Sequence, residues 1–249
     1  MNPPILLVTG GSRGIGAATA RLAGGRGYRV AISFRSDEEA AAAVVRGIEA
    51  AGGEAAAFRA DTSAEPDILA LFEAVDARFG RLTHLVNNAG VAGRASRLAD
   101  ADAGTIRAVV EVNLVGAMLV AREAVRRMST ARGGQGGAIV NISSRAAGLG
   151  AGGEFVWYAA SKGGIESFTT GLAHEVATEG IRVNAVAPGL IDTEMQLQGG
   201  DPQRLARLLP GVPMQRAGTA EETAEAILWL LSDAASYVTG TVLHVSGGR

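Results

Sequence analysis

Two side chains capable of proton transfer, Tyr158 and Lys162, stand four residues apart in a stretch of helical period. Side chains with this spacing project from one face of a helix and can approach the same bound molecule. An unperturbed tyrosine, with a pKa of about 10, is a poor base near neutrality, whereas an adjacent ammonium group stabilises the phenolate and lowers that pKa. The pair therefore predicts general acid–base catalysis by Tyr158, assisted by Lys162.

A serine at the end of an apolar run, Ser144, is the third candidate for this site. The run ends Ile142-Ser143-Ser144, and parallel sheets bind their ligands at the carboxyl ends of their strands. A hydroxyl group there can hold a reacting oxygen atom by a hydrogen bond, and Ser143 is the competing residue. Because a Tyr-x-x-x-Lys pair alone is common, its place after this strand and a Gly-rich loop is what favours catalysis.

A glycine-rich turn follows the first apolar run of the chain. The sequence ILLVT leads directly into Gly10-Gly11-Ser12-Arg13-Gly14-Ile15-Gly16, after which a helical pattern begins. Glycines in such a turn let backbone N–H groups approach a pyrophosphate, and the helix N-terminus adds partial positive charge. The strand before the turn and the helix after it favour nucleotide binding over a turn that is only closely packed.

These features occur with several others in a fixed order along the chain. They are Thr9-Gly10-x-x-x-Gly14-x-Gly16, Asp61 after the third predicted strand, Asn87-Asn88-Ala89-Gly90 after the fourth, Asn113 in the next helix, Ser144 after the fifth, Tyr158-x-x-x-Lys162, and Pro188-Gly189 after the sixth. The set resembles the short-chain dehydrogenase/reductase family over the whole chain. The resemblance implies hydride transfer between a nicotinamide cofactor and a secondary alcohol or carbonyl group, with Tyr158 moving the proton.

The resemblance also implies roles for individual residues. Ser144 would hold the reacting oxygen, Lys162 would also bind the nicotinamide ribose, and Asn113 would hold a water that links Lys162 to solvent. Along the cofactor, the residues implied are Asp61 and Thr62 at the adenine, Asn87, Ala89 and Gly90 along the adenosine half, and Pro188, Gly189, Ile191 and Thr193 at the nicotinamide. The alternatives to these cofactor-binding roles are that Asp61 caps a helix and that Pro188-Gly189 only forms a turn.

The end of the second predicted strand determines which cofactor is expected. A carboxylate there would accept hydrogen bonds from the adenine ribose and repel a 2′-phosphate. The sequence instead has Ser33-Phe34-Arg35-Ser36, with acids only from position 37 onward. Arg35 offers a fork of donors to a phosphate, Ser33 and Ser36 add hydroxyls, and Arg13 can approach from the other side, as in NADP-preferring members of the family. We therefore expect NADP(H) in preference to NAD(H).

Short runs of valine, isoleucine and leucine alternate with longer stretches of helical period. Strands are predicted at Ile5 to Thr9, Arg29 to Phe34, Glu54 to Ala60, Leu82 to Asn87, Ala138 to Ser143, Arg182 to Ala187 and Thr241 to Val245. Helices are predicted at Ile15 to Gly25, Asp37 to Ala51, Glu65 to Phe79, Ala103 to Met128, Val156 to Thr178 and Ala220 to Leu231, with Ser63 and Thr219 as starting signals. This alternation predicts an α/β fold, a Rossmann-type doubly wound parallel sheet of seven strands with helices on both faces.

The composition indicates one globular domain, residues 1–249. The chain is 47% hydrophobic and 19% charged, which excludes a disordered protein. A net charge of −2 gives no basic surface for binding nucleic acid or an anionic membrane. The three histidines are scattered along the chain, which argues against a metal site, and the absence of cysteine excludes disulfides. No apolar run reaches the roughly 18 residues of a membrane span and no signal peptide is recognised, so a cytoplasmic protein acting on a small molecule is expected.

Residues 190–218 fit regular structure least. The segment is polar and contains Pro202, Pro210 and Pro213, and in a compact enzyme it would be a mobile substrate lid. An ordinary surface excursion is the alternative. By resemblance to the family, the chain is expected to form homotetramers or homodimers through the long helices that hold Asn113 and Tyr158 and through the last strand.

The resemblance leaves the substrate open. The NNAG and YAASKGG stretches resemble 3-oxoacyl-carrier-protein reductases, whereas the stretch before Tyr158, one residue longer than in many relatives, resembles sugar dehydrogenases. An acyl carrier protein would need a basic patch, for which Arg94, Arg97 and Arg145 are candidates. Two hypotheses of other classes are a regulator that senses NADPH without turnover and a structural subunit of an oligomer. The intact catalytic residues argue against the regulator.

Overall fold

The computed structural model describes residues 3–197, 200–201 and 203–249, with the backbone alone at Gln196 and Leu197. Gln198, Gly199 and Pro202, three positions of the segment expected to form a lid, lie outside the described residues. The strands are β1 (Ile5–Val8), β2 (Arg29–Phe34), β3 (Glu54–Arg59), β4 (His84–Asn87), β5 (Gly137–Ile142), β6 (Ile181–Pro188) and β7 (Val242–Val245). The helices are α1 (Gly14–Gly25), α2 (Glu38–Ala50), α3 (Glu65–Phe79), α4 (Ala103–Val110), α5 (Ala117–Met128), α6 (Ala146–Leu149), α7 (Val156–Val176), α8 (Arg204–Leu208) and α9 (Ala220–Leu231).

The strands form one parallel sheet in the order β3-β2-β1-β4-β5-β6-β7. Successive side chains of β1 point to opposite faces, so that Leu6 and Val8 enter one apolar cluster while Ile5 and Leu7 enter the other. Helices α1, α2 and α9 cover the first face, and α3, α5 and α7 cover the second. The predicted Rossmann-type, doubly wound sheet with helices on both faces is therefore confirmed.

The strand order reverses between β1 and β4, because the chain builds outward to β3 in one direction and to β7 in the other. At such a switch point the loops that follow two neighbouring strands diverge and leave a crevice at their carboxyl ends. The turn after β1 and the loop after β4 bound this crevice.

The predicted helix from Ala103 to Met128 is interrupted in the structure. Between α4 and α5 the chain forms a π-helical turn, Glu111–Gly116, which contains Asn113. Such turns are rare and often lie at functional sites, because they leave part of the regular backbone hydrogen-bond ladder open. Apolar periodicity cannot reveal this widening, since a π turn only shifts the pattern by one residue.

The two predicted helix starts differ in outcome. Thr219 caps α9 with a reciprocal capping box, in which its side chain accepts from Glu222 N and the Glu222 carboxylate accepts from Thr219 N. Ser63 is not the cap of α3, because the N-terminal cap position is Ala64 and carries no side-chain hydrogen bond. The Ser63 hydroxyl donates to Asp61 Oδ1 at 2.7 Å instead.

The helical stretch Ala103–Met128 has 26 residues and a mean hydropathy of 1.5 over its most apolar window, enough by length and composition alone to cross a membrane. The sequence was expected to contain no apolar run long enough to span a membrane. That expectation does not hold for an 18-residue window that may include up to two charged residues. Of that window, 28% is buried. Since α5 packs on β4 and α3, as the core helix of a globular protein does, one such helix is a weak indication of a span.

His84, at the start of β4, gives the fold a dependence on pH. Burial lowers the pKa of this histidine from 6.5 to about 4, and its ring packs edge-on against Tyr28 with centroids 5.3 Å apart. Between those two pH values the unfolded chain binds more protons than the folded one, so stability is expected to fall by up to about 3 kcal/mol as the pH drops from 6.5 to 4. Urea unfolding across this range should show a shallower pH dependence for His84→Gln. An equal slope in that variant, with exposed His174→Gln as control, would contradict the assignment.

Candidate active site

A cleft of about 320 Å³ opens at the carboxyl edge of the sheet, where the strand order reverses. It brings together most residues expected from the sequence, namely Gly10, Ser12, Arg13, Gly14, Ile15, Ser33, Arg35, Ser36, Asp61, Thr62, Ala89, Gly90, Ser144, Tyr158, Lys162, Pro188, Gly189, Ile191 and Thr193. Gly16, Asn87 and Asn113 were also expected at the site, but they do not line the cleft.

The glycine-rich turn between β1 and α1 is shaped for close backbone approach. Gly10 and Gly14 adopt positive φ angles of 62° and 52°, a conformation that favours glycine. A Cβ atom on Gly16 would lie 2.5 Å from Gly10 O and 2.6 Å from the Asn88 side chain, so this glycine serves packing of the turn. The cap position of α1, Arg13, makes no side-chain hydrogen bond to the helix, which leaves the first N–H groups open to an anion in the cleft.

Asn88 holds the glycine-rich turn in place, a role that the sequence reasoning missed. Its amide Nδ2 donates to Thr9 O at 2.9 Å and to Gly10 O at 3.0 Å. In return, Thr9 Oγ1 accepts from the backbone N–H groups of Asn88 and Ala89 at 2.9 and 3.0 Å. The available signal was the second asparagine of the NNAG stretch, whose amide can bridge two adjacent loops.

Asn87 has a different place from the one expected along the adenosine half of a cofactor. Its Nδ2 donates to Ala117 O at 2.7 Å and to Asn141 Oδ1 at 3.3 Å, in the buried layer between β4, β5 and α5. The physical reason is the alternation of side chains along a strand, which turns the last residue of β4 toward the helix layer and not into the cleft.

The part of the cleft after β2 and β3 is lined by two acids, Asp37 and Asp61, and by two arginines, Arg13 and Arg35. Asp61 Oδ1 accepts from the backbone N and the Oγ of Ser63, and these hydrogen bonds, with the charge of Arg35, lower the pKa of the carboxyl group. Asp61 is thus bound to its own turn and is not the cap of α3. Arg35 and Arg13 line the cleft, whereas Ser33 is buried and its Oγ accepts from Gly10 N at 3.3 Å.

Elsewhere in the cleft, the Ser144 side chain lies beside the Tyr158 hydroxyl and acts on its pKa. The competing residue, Ser143, is 2% exposed and its hydroxyl donates to Glu166 Oε1 at 2.8 Å. Ser144 is therefore the serine that the end of β5 presents to Tyr158. A hydroxyl pair of this kind can hold one oxygen atom of a bound molecule between two donors.

Lys162 is the only lysine of the chain and is 4% exposed. Its Nζ donates to Ile142 O at 2.7 Å and lies 5.8 Å from the centre of the Tyr158 ring. Gly90 lies beside this group, since a Cβ atom there would be 3.5 Å from Lys162 Nζ and 3.2 Å from Asn113 Oδ1. Burial lowers the pKa of Lys162 from 10.5 to about 8.

The expectation that the pKa of Tyr158 is lowered by Lys162 is wrong for the cofactor-free chain. Burial raises this pKa above 10.0, and the Ser144 hydrogen bond and the charge of Arg204 offset only part of the increase. The reason is that the Lys162 ammonium group is directed at the Ile142 carbonyl and not at the phenol oxygen. At neutral pH Tyr158 is therefore a protonated phenol, which is the form that donates a proton.

Asn113 supports the site from outside the cleft. Its Oδ1 accepts from Val91 N at 2.8 Å, and its Nδ2 donates to Val91 O at 2.9 Å and to Ser161 Oγ at 3.2 Å. The side chain thus ties the loop after β4 to helix α7. These partners occupy the side-chain amide, which was expected to hold a water.

The part of the cleft beyond Tyr158 is largely apolar and is bounded by charged side chains. Leu149, Phe155, Leu190 and Met195 line it, together with Glu154 and Arg204. Trp157 is buried behind this wall, where its Nε1 donates to Ala92 O at 3.0 Å. Arg94 and Arg97, two candidates for a basic patch, do not line the cleft.

Segment 190–218 closes on itself beside the cleft. Ile191 forms a parallel bridge with Gly218, and Gly218 N donates to Leu190 O at 3.0 Å, so the two ends of the segment meet. Helix α8 lies between them. Among residues 3–197, 200–201 and 203–249 there is no group of three or more histidine, aspartate or glutamate side chains that could hold a metal ion.

Comparisons with known proteins agree with this geometry. Residues 10–249 match the family model described as enoyl-(acyl carrier protein) reductase. An uncharacterized oxidoreductase of Escherichia coli, YgfF, is 51% identical over 98% of this chain and 99% of its own length. The 3beta-hydroxysteroid dehydrogenase 1 of Eggerthella lenta is 42% identical over 98% and 92% of the two chains, and the cis-4-hydroxycyclohexanecarboxylate dehydrogenase of Sinomonas cyclohexanicum is 41% identical over 98% and 95%.

Solved structures show the same architecture. A short chain dehydrogenase from Burkholderia cenocepacia in complex with NADP has a TM-score of 0.90 and 35% identity, over 98% of this chain and 97% of that one. A 3-ketoacyl-(acyl-carrier-protein) reductase from Brucella melitensis complexed with NADH has a TM-score of 0.90 and 33% identity, over 99% and 98% of the two chains.

Proposed function

Because the chain belongs to the short-chain dehydrogenase/reductase family, whose members are NAD(P)-dependent oxidoreductases of alcohols and carbonyls, we propose that it prefers NADP(H) and uses Tyr158 as its acid and base. The observation that carries the proposal is that Tyr158, Ser144 and Lys162 line the same cleft as the open N-terminus of α1. A proton donor and an anion-binding turn at the two ends of one cleft suit a dinucleotide and a carbonyl compound bound together.

The residues present fit a dinucleotide. The uncapped start of α1 and the positive φ angles of Gly10 and Gly14 provide a cradle for a diphosphate, and a nicotinamide bound in the cleft would supply or accept the hydride. Ile191 and Thr193 line the same cleft, and Thr193 lies beside the glycine-rich turn, since a Cβ atom on Gly14 would be 3.4 Å from Thr193 Cγ2.

The proton steps follow from the state of Tyr158. As a carbonyl group is reduced, its oxygen gains negative charge, and the phenol of Tyr158 donates its proton to that oxygen while Ser144 holds it by a second hydrogen bond. In alcohol oxidation the phenolate must first form, and the buried Lys162 ammonium group lies on the same side of α7 to stabilise it once its bond to Ile142 O is exchanged. Near neutral pH the cofactor-free protein therefore holds Tyr158 in the protonated form that carbonyl reduction requires.

The decisive experiment measures consumption of NADPH with a panel of ketones, oxoacyl thioesters and sugars. Turnover of a ketone supports the proposal, whereas cofactor binding without turnover of any carbonyl compound would support the alternative of a regulator that senses NADPH. The relatives include, by name, dehydrogenases of a hydroxysteroid and of a hydroxycyclohexanecarboxylate. Together with the apolar wall of Leu149, Phe155 and Leu190, these names favour a cyclic secondary alcohol or ketone over a 3-oxoacyl thioester or a sugar.

Replacement of Arg35 tests the choice of cofactor. Arg35→Ala is expected to raise the KM for NADPH about 10- to 100-fold, because a charge-assisted contact to the 2′-phosphate is lost, and to change the KM for NADH less than about threefold. The measurement is steady-state kinetics with both cofactors and one ketone. Arg59→Ala is the matched control, since Arg59 Nε donates to Arg35 O but the side chain does not line the cleft. Equal effects of Arg35→Ala on the two cofactors would contradict the NADP preference.

The proposal extends to the organisation of the protein. Residues 1–249 would act as one catalytic domain in the cytoplasm, with 190–218 as a lid over the substrate. A homotetramer or homodimer is supported by the exposed apolar side chains of Val115 and Met118 near Asn113, and of Trp229 and Tyr237 near the last strand. Light scattering coupled to size-exclusion chromatography distinguishes these states from a monomer.

A further inference from the structure

We propose that Arg204 recognises a carboxylate on the substrate and so selects acids among the carbonyl compounds that fit the cleft. This inference rests on the proposed function, since it concerns the substrate of the same site. The contact between Arg204 and the carboxylate would lie away from the cofactor. The substrate's own length would set the distance between its carboxylate and its carbonyl group.

Arg204 comes from the lid segment and reaches the reaction centre. It is the first residue of α8 and lines the same cleft as Tyr158. Its guanidinium group lies 5.4 Å from the centre of the Phe155 ring, and its side chain is only 21% exposed. The positive charge is close enough to Tyr158 to act on the ionisation of that phenol. A planar cation in this position, largely removed from water, can bind a carboxylate with two parallel hydrogen bonds.

The other cations of the cleft are directed elsewhere. Arg13 and Arg35 lie at the glycine-rich turn and the end of β2, where the cofactor would bind. Arg145 Nε donates to the Arg249 backbone carbonyl at 2.7 Å, and its Nη1 contacts the His244 ring at 3.1 Å. Lys162 is bound to Ile142 O behind the catalytic tyrosine. Arg249 also lines the cleft, beside Arg145, but Arg204 is the cation that packs on the Phe155 ring and whose charge acts on Tyr158.

A short chain of ion pairs allows Arg204 to turn to a substrate without leaving a partner unpaired. Arg204 Nε bonds Glu154 Oε2 at 3.1 Å, while Arg207 bonds Glu154 Oε1 at 2.6 Å and Asp201 at 3.0 Å. Glu154 would keep Arg207 if Arg204 moved to a substrate carboxylate. This matters because a buried charge that loses its only partner is strongly unfavourable, and the arrangement avoids that cost.

The surroundings of Arg204 indicate the rest of the ligand. Leu149, Leu190 and Met195 line the same cleft with apolar side chains, and the Phe155 ring packs against the guanidinium group. The chemical class is therefore an acid whose body is apolar and whose carbonyl or hydroxyl group is separated from its carboxylate. A free sugar offers neither an anion nor an apolar body, and this separates the inference from the sugar dehydrogenase alternative.

The test compares 4-oxocyclohexanecarboxylate with its methyl ester, two ketones of nearly equal shape that differ in one charge. Wild-type protein is expected to show a kcat/KM for the acid at least about tenfold above that for the ester, and Arg204→Gln should lower this acid-to-ester ratio about 10- to 100-fold. Arg204→Lys, which keeps the charge without the planar fork, should restore part of the ratio. Arg216→Gln is the matched control, because Arg216 lies in the same segment and pairs with Glu222 but does not line the cleft, and it should leave the ratio unchanged.

The inference would be overturned if Arg204→Gln changed the acid-to-ester ratio by less than about threefold, or if Arg216→Gln lowered that ratio as much as Arg204→Gln does. Failure of the proposed function would look different, since neither ketone would then be reduced by any variant. In that case calorimetric titration of the NADP-bound protein with 4-hydroxycyclohexanecarboxylate still decides the matter. Binding that weakens about tenfold or more in Arg204→Gln supports the carboxylate contact, and equal binding by both proteins refutes it.

Discussion

Replacing Tyr158 with phenylalanine is expected to reduce kcat by about 10³-fold or more in both directions, because the variant lacks the proton that the reacting oxygen must gain or lose. The dissociation constant for NADPH should change by less than about threefold. The cavity and the apolar packing stay the same, since only the hydroxyl bonded to Ser144 is removed. Single-turnover kinetics and fluorescence titration with NADPH measure the two quantities on the same preparation.

Tyr28→Phe is the matched control for this substitution, because Tyr28 packs against His84 away from the cleft. The pH dependence provides a second readout. Since burial raises the pKa of Tyr158, reduction should stay fast through neutral pH, whereas oxidation should increase with pH into the alkaline range as the phenolate forms. Turnover by Tyr158→Phe within about tenfold of the wild type would exclude the phenol as the proton donor.

Replacing Lys162 with methionine is expected to have opposite effects on activity and stability. Turnover should fall about 100-fold or more, since the phenolate loses its nearest cation. Without cofactor, the free energy of unfolding at pH 7 should rise by about 1–3 kcal/mol, because the wild type buries an ammonium group whose burial lowers its pKa to about 8. Urea unfolding without cofactor measures the second effect.

The sign of the pH effect makes the stability prediction specific. The folded-state pKa of Lys162, about 8, lies below its ordinary value of 10.5, so between these two pH values the unfolded chain binds more protons. Wild-type stability therefore rises from pH 8 to 10.5, and the advantage of Lys162→Met narrows over the same range. Lys162→Arg keeps the buried charge and should show no gain. A methionine variant less stable than the wild type at pH 7 would mean that the bond to Ile142 O satisfies the ammonium group fully.

The sheet could be predicted from the sequence because its strands are short and the five central ones are apolar and buried, and because glycine-rich turns separate strands from helices. The ends of the strands differ by up to two residues, as at β4, which starts at His84 and not at Leu82. The π-helical turn around Asn113 could not be predicted, since it depends on how α4 and α5 pack against neighbouring elements.

Within the site, the residue types were easier to predict than the directions of their side chains. The sequence placed Tyr158 and Lys162 on one helix face, but it could not show that the ammonium group turns to Ile142 O. The same holds for Asn87, whose side chain points into the helix layer, and for Asn88, which supports the glycine-rich turn. These directions depend on contacts between segments far apart in the chain.

A chain with a single lysine offers one target to a protease that cuts only after lysine. That target is the peptide bond after residue 162, in the interior of α7 and under the catalytic cleft. Cleavage requires α7 to unwind locally around Lys162. The rate at which two fragments appear therefore measures how often this part of the helix unfolds. A bound dinucleotide that holds the same helix would slow this digestion, and the assay would report its affinity without any turnover.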